Sequence, residues 1–200
     1  MRKTFYVAAS VMTVALSAKL AAANAPLVFF NANTNMCLQP ANASTAPGMA
    51  IVQEPCNNSG TNANATQGIS TNVNANVNRG IIANPAQEWT SIAAGSGNFQ
   101  YKNVLSGLCL DARGKAQYGT PVQQWKCGKI TNQIWKPTAY PIGPNAPKGP
   151  GVQVISQVSG SNNYCLTIPA GEVKAGLPMK IESCNGKDYQ NWQIWGVGRC

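Results

Sequence analysis

Apolar and polar residues alternate in short runs along much of the chain: LVFFNA (27–32), FQYKNVLS (99–106), TPVQQWKC (120–127), VQVISQVS (152–159), PMKIES (178–183) and NWQIWGV (191–197). Clusters of Gly, Asn, Pro and Asp separate them, and no segment sustains a helical period, so the pattern predicts half-buried strands joined by turns. An all-β fold is expected. In TPVQQWKC, neighbouring side chains point to opposite faces of the strand. If Val122 faces the core, Gln123 and Trp125 project outward, and Gln124 stands on the core side where an apolar residue is expected.

The runs belong to an internal repeat. Cys37 and Cys56 are 19 apart, Cys109 and Cys127 are 18 apart, and Cys165 and Cys184 are 19 apart. Leu follows each first cysteine (Leu38, Leu110, Leu166), and an apolar residue precedes each second one by five places (Ile51, Val122, Met179). A Gln-x-Trp comes next: Gln133-Ile134-Trp135, Gln190-Asn191-Trp192 and, delayed by an insertion, Gln87-Glu88-Trp89. Six cysteines allow fifteen pairings, and the repeat selects the one that joins near neighbours. Closing a loop of that length stabilises the fold by about 3 kcal/mol in the chain-entropy view. Three equivalent units are expected, over about 26–95, 96–137 and 151–200, with Trp89, Trp135 and Trp192 as equivalent core positions.

The remaining stretches set the context. Residues 1–25 begin with Arg2 and Lys3, run through an apolar stretch from Phe5 to Leu16 and end on small residues, the layout of a secretory signal peptide with a cut after Ala23. That run is too short for a membrane span. Residues 57–80 form an Asn-rich insertion of low complexity, which reads as an exposed loop, and residues 137–150 form a proline-rich, extended connection. Without Arg2, Lys3 and Lys19 the formal charge falls from +9 to +6. A basic, exported chain has glycans or lipids as expected partners rather than nucleic acid. Cys200 is left over, either free or open to self-association. The chain has no histidine, six carboxylates and no glycine-rich phosphate loop, so it offers no basis for an enzyme, a metal site or a cofactor site.

Three cysteine-paired units, each ending in Gln-x-Trp, resemble the ricin-type β-trefoil lectins from about Leu27 to Trp195. The resemblance implies a twelve-stranded β-trefoil with up to three sugar pockets, commonly for galactose or N-acetylgalactosamine. Such a pocket uses an Asp two places after the first cysteine, an aromatic two before the second, and an Asn just ahead of the Gln-x-Trp. The second unit has all three in Asp111, Trp125 and Asn132, with Gln123 at the rim and Gln133 behind Asp111. The first offers Gln39, Glu54 and Ala86 and the third Thr167, Glu182 and Tyr189, so one competent site per chain is expected. The resemblance extends to bacterial toxin subunits like the receptor-binding partners of cytolethal distending toxins. It leaves a catalytic toxin chain open as an alternative partner to cell-surface glycans.

Overall fold

The computed structural model describes residues 25–31, 33–56, 84–139, 151–160 and 163–197. Most of the expected leader, the Asn-rich insertion, most of the proline-rich connection and Cys200 lie outside these residues. The described residues form twelve strands, four to a unit, and no helix long and apolar enough to cross a membrane. The first unit supplies β1 (Leu27–Asn31), β2 (Met36–Pro40), β3 (Ile51–Pro55) and β4 (Trp89–Gly95). The second supplies β5 (Asn98–Asn103), β6 (Cys109–Ala112), β7 (Thr120–Trp125) and β8 (Trp135–Ala139). The third supplies β9 (Val152–Ser156), β10 (Tyr164–Thr167), β11 (Lys180–Ser183) and β12 (Trp192–Gly196).

The first and last strands of each unit pair antiparallel in a closed ring, in the order β1, β4, β5, β8, β9, β12 and back to β1. Closure leaves that sheet without a free edge. The middle strands form the hairpins β2–β3, β6–β7 and β10–β11. Each hairpin carries one disulfide, Cys37–Cys56, Cys109–Cys127 or Cys165–Cys184. The hairpins bond to one another around a pseudo-threefold axis: Met179 N donates to Ile51 O at 2.7 Å and Val122 N to Met179 O at 3.0 Å. This is a β-trefoil. The apolar residues five places before each second cysteine are fully buried because they meet at that axis.

The Gln-x-Trp tryptophans fill the centre of each unit. Trp89, Trp135 and Trp192 have no exposed surface, and each indole N–H needs an acceptor because a buried donor without one is costly. They donate to the carbonyls of Leu38 at 3.2 Å, Leu110 at 2.9 Å and Leu166 at 2.9 Å. The Leu after each first cysteine therefore packs in the core and accepts the indole proton of its own unit.

Gln124 is buried, as the strand alternation requires, but its amide has found work there. Its Nε2 donates to Ser44 O at 2.8 Å and Ala46 O at 2.9 Å in the first unit, and its Oε1 accepts from Ser106 Oγ at 2.7 Å. Gln53, also three places before its second cysteine, donates in the same way to Glu172 O and Lys174 O in the third unit at 2.6 and 2.9 Å. Only the third unit has an apolar residue at this place, Ile181. Gln124→Leu should therefore lower stability by about 1–2 kcal/mol in denaturant unfolding, although leucine is the more apolar residue. Equal or greater stability of the variant would show that the tether contributes nothing.

Candidate functional site

The glutamine of each Gln-x-Trp spans the base of its hairpin. In all three units its Nε2 donates to the side chain two places after the first cysteine and to the carbonyl just before the second. Gln87 reaches Gln39 Oε1 and Pro55 O, both at 3.0 Å. Gln190 reaches Thr167 Oγ1 at 2.9 Å and Ser183 O at 3.0 Å. Gln133 reaches Asp111 Oδ2 at 3.1 Å and Lys126 O at 2.9 Å, and its Oε1 accepts from Gly128 N at 2.8 Å. Gln100, which the sequence pattern did not single out, adds a longer contact to Gln133 Oε1 at 3.4 Å and a firm one to Gly128 O at 2.6 Å. Gln133 is fully buried, so it positions Asp111 from within.

On the outer side, Asp111 of β6 lies opposite Gln123 of β7, and Gln123 Nε2 donates to Asp111 Oδ1 at 3.0 Å. Residues paired across two strands share a face, so Asp111, Gln123 and Trp125 line one surface of the hairpin, with Trp125 diagonal to Asp111. Along β7, Thr120, Val122 and Gln124 are buried while Pro121 and Trp125 are exposed and Gln123 is half-buried. Trp125 keeps 44% of its surface exposed, whereas Asp111 keeps 3%. Each carboxylate oxygen has a second lone pair beyond the one its amide donor occupies, so the carboxyl can still accept hydroxyl protons.

Two further residues bear on this hairpin. Asn132 sits in the 3-10 turn Thr131–Gln133, and its Nδ2 donates to Ala112 O and Gly114 O, both at 2.8 Å. Its amide nitrogen thus holds the β6–β7 loop, and Oδ1 is the atom it can offer to a ligand. Gly48 comes from the first unit: its N donates to Gln124 O at 2.8 Å, and a Cβ there would stand 3.3 Å from the Trp125 ring. With φ at +83°, the position also favours glycine on backbone grounds. No reading of the second unit alone could find it.

The other two hairpins carry different groups at these places. Glu54 and Glu182 occupy the Trp125 position, opposite Cys37 and Cys165. They belong to different units and face different neighbours. Glu54 lies near Gly176, while Glu182 accepts from Tyr118, a 68%-exposed side chain on the β6–β7 loop whose phenol pKa is raised chiefly by that carboxylate's charge. Tyr189, at the Asn132 position, packs against Gly171 and accepts from Asn185 Nδ2 at 2.9 Å. Ala86, its counterpart in the first unit, is buried. Only the second hairpin places an aromatic at the Trp125 position.

A family model described as "Ricin-type beta-trefoil lectin domain-like" matches residues 21–125 and 85–148. No curated protein matches the chain. Among solved structures, the designed threefold-symmetric protein ThreeFoil is 19% identical with a TM-score of 0.62, covering 84% of this chain and 96% of its own. A ricin B-like lectin of Macrolepiota procera, in complex with lactose, is 14% identical with a TM-score of 0.57, covering 84% of this chain and 93% of its own. The cytolethal distending toxin of Haemophilus ducreyi is 12% identical with a TM-score of 0.57, covering 95% of this chain and 90% of the matched chain. Two further matched chains are much longer, and this chain covers only 30% and 17% of them. At these identities the likeness shows the fold.

Burial raises the pKa of Asp111 above its ordinary 3.8, because the charged form is the one that loses water, and the hydrogen bonds from Gln123 and Gln133 offset part of that rise. The Asp111 carboxyl carbon, followed by NMR, should titrate with a midpoint above 3.8. Gln123→Leu removes a donor to the carboxylate and should move the midpoint higher still. A midpoint at or below the ordinary value would mean that the amides outweigh burial.

Proposed function

Because the chain belongs to the ricin-type β-trefoil lectin domain-like family, a family of carbohydrate-binding folds, we propose that it is a secreted lectin for galactose- or N-acetylgalactosamine-type glycans, with one competent site in its second unit. The observation that carries this reading is that Asp111 and Trp125 share one face of the β6–β7 hairpin, the first buried and held from behind by Gln133, the second half-exposed. The free lone pairs of Asp111 accept two neighbouring sugar hydroxyls, and the indole of Trp125 covers the apolar C–H face of the ring. Asn132 Oδ1 and Gln123 complete the rim, and Gln133 acts through Asp111. No step of catalysis is assigned to any residue. Export is supported by the layout of residues 1–25 and by three disulfides, which persist in oxidising compartments.

A single shallow pocket binds a monosaccharide near the millimolar end of the scale, about −4 kcal/mol, so avidity requires several copies. Self-association through Cys200 is one route to them. A second reading, a non-catalytic receptor-binding subunit of a toxin or adhesin, draws on the likeness to the Haemophilus ducreyi toxin over 95% of this chain and on the altered groups in the other two hairpins.

Calorimetric titration with galactose, N-acetylgalactosamine and lactose tests the first reading. Asp111→Ala and Trp125→Ala should each weaken binding at least about tenfold while circular dichroism remains native, since each removes a direct contact worth about 1.4 kcal/mol or more. Binding should also fade on acidification, starting at a higher pH than an exposed aspartate would impose, because the site needs the carboxylate and its pKa is raised. Absence of sugar binding by the wild type, with a second protein chain co-purifying from the producing cell, would transfer support to the toxin reading.

A further inference from the structure

The pseudo-threefold symmetry provides an internal comparison for the charges around the site. Arg113 and Lys115 stand four and six places after the first cysteine of the second unit, Lys126 one place before the second cysteine, and Lys129 two places after it. All four are exposed. The same places hold Ala41, Ala43, Pro55 and Asn58 in the first unit and Pro169, Gly171, Ser183 and Gly186 in the third. The correspondence is structural as well as numerical: Arg113 N donates to Pro121 O as Ala41 N donates to Ala50 O, both at 2.9 Å. The third unit has its exposed lysines at other places, Lys174 and Lys187, and each has an acidic residue within two places, Glu172 and Asp188, whereas the four cations of the second unit have no such neighbour apart from Asp111.

All four belong to the two chain segments that Asn132 and Gln133 hold. Arg113 lies between the two carbonyls, Ala112 O and Gly114 O, that hold the Asn132 amide, and Lys115 follows directly. The carbonyl of Lys126 accepts from Gln133, and Lys129 follows Gly128, whose N–H donates to Gln133. Asp111 is the sole acidic residue between 96 and 137, and it is buried, so no exposed carboxylate of the same unit neutralises these cations.

We infer that the second-unit site takes galactose-type sugars carrying an anionic substituent, a sulfate ester or the carboxylate of a sialic or uronic acid, with Arg113, Lys115, Lys126 and Lys129 forming the cationic rim that receives it. This rests on the reading of Asp111, Trp125 and Asn132 as a sugar pocket. Exposed ion pairs are individually weak, and a few acting together amount to roughly tenfold in affinity. Being exposed, they are also screened by salt: between about 0.01 M and 1 M the Debye length falls from about 30 Å to about 3 Å.

The test compares lactose, lactose sulfated on its galactose, and sialylated lactose, with inorganic sulfate as the anion alone. Each is titrated into the wild type, Asp111→Ala and the combined variant Arg113→Gln, Lys115→Gln, Lys126→Gln, Lys129→Gln. The wild type should bind at least one of the anionic lactoses about tenfold more tightly than lactose at low salt, with the ratio falling toward one at about 1 M. The combined variant should show a ratio near one at every salt concentration, and the two anionic sugars identify which anion the rim prefers. A wild-type ratio near one, with lactose bound, overturns the charge inference and leaves the pocket reading standing. A ratio unchanged in the combined variant, or anionic-sugar binding that survives Asp111→Ala or is matched by inorganic sulfate, also overturns it. If neither neutral nor anionic sugars bind, both readings fall together.

Discussion

The structure turns on one buried amide, used three times. The glutamine of each Gln-x-Trp cannot reach water, so its donors and acceptor must be satisfied inside the unit. Satisfying its donors fixes two things at once: the side chain two places after the first cysteine and the carbonyl ahead of the second. In two units the side chain it grips is neutral, Gln39 or Thr167. In the second it grips Asp111, and the same bond that orders the core also holds a buried carboxylate on the face that Trp125 shares. The desolvation of that carboxylate is partly offset by the amides on either side of it.

Symmetry separates what the fold needs from what one unit has added. Three disulfides, three indole-to-leucine hydrogen bonds and three apolar residues at the axis recur with little change. An indole at the Trp125 position and a carboxylate at the Asp111 position occur together once. Groups at the same backbone places in the other hairpins have taken different partners, as Glu182 has with Tyr118. The scaffold tolerates this because the outward-facing positions of a hairpin contribute little to its core.

Much of this was legible in the chain because it is local or periodic. Cysteine spacing, the leucine after each first cysteine and the strand alternation of TPVQQWKC were enough to pair the disulfides and to turn Trp125 outward. What escaped is non-local. Gln124 looked like a flaw in the core pattern, since the carbonyls it satisfies belong to residues 80 and 78 positions away. Gly48 and Tyr118 act on neighbouring units, and nothing in their own surroundings marks them. Strand β4 lacks an apolar alternation of its own because most of it is exposed beyond Trp89.

The tether from Gln124 to Ser44 and Ala46, with Gly48 against the Trp125 ring, means that the second hairpin is braced by a loop encoded far upstream. A single unit cut from the chain would lack that brace, leaving the Gln124 amide without its two carbonyls and the Trp125 ring without the glycine beside it. A change in the first unit therefore reaches the outward face of the second. Duplicated segments of such a protein are free to diverge on their own surfaces while remaining bound, by neighbourhood, to preserve the packing of another.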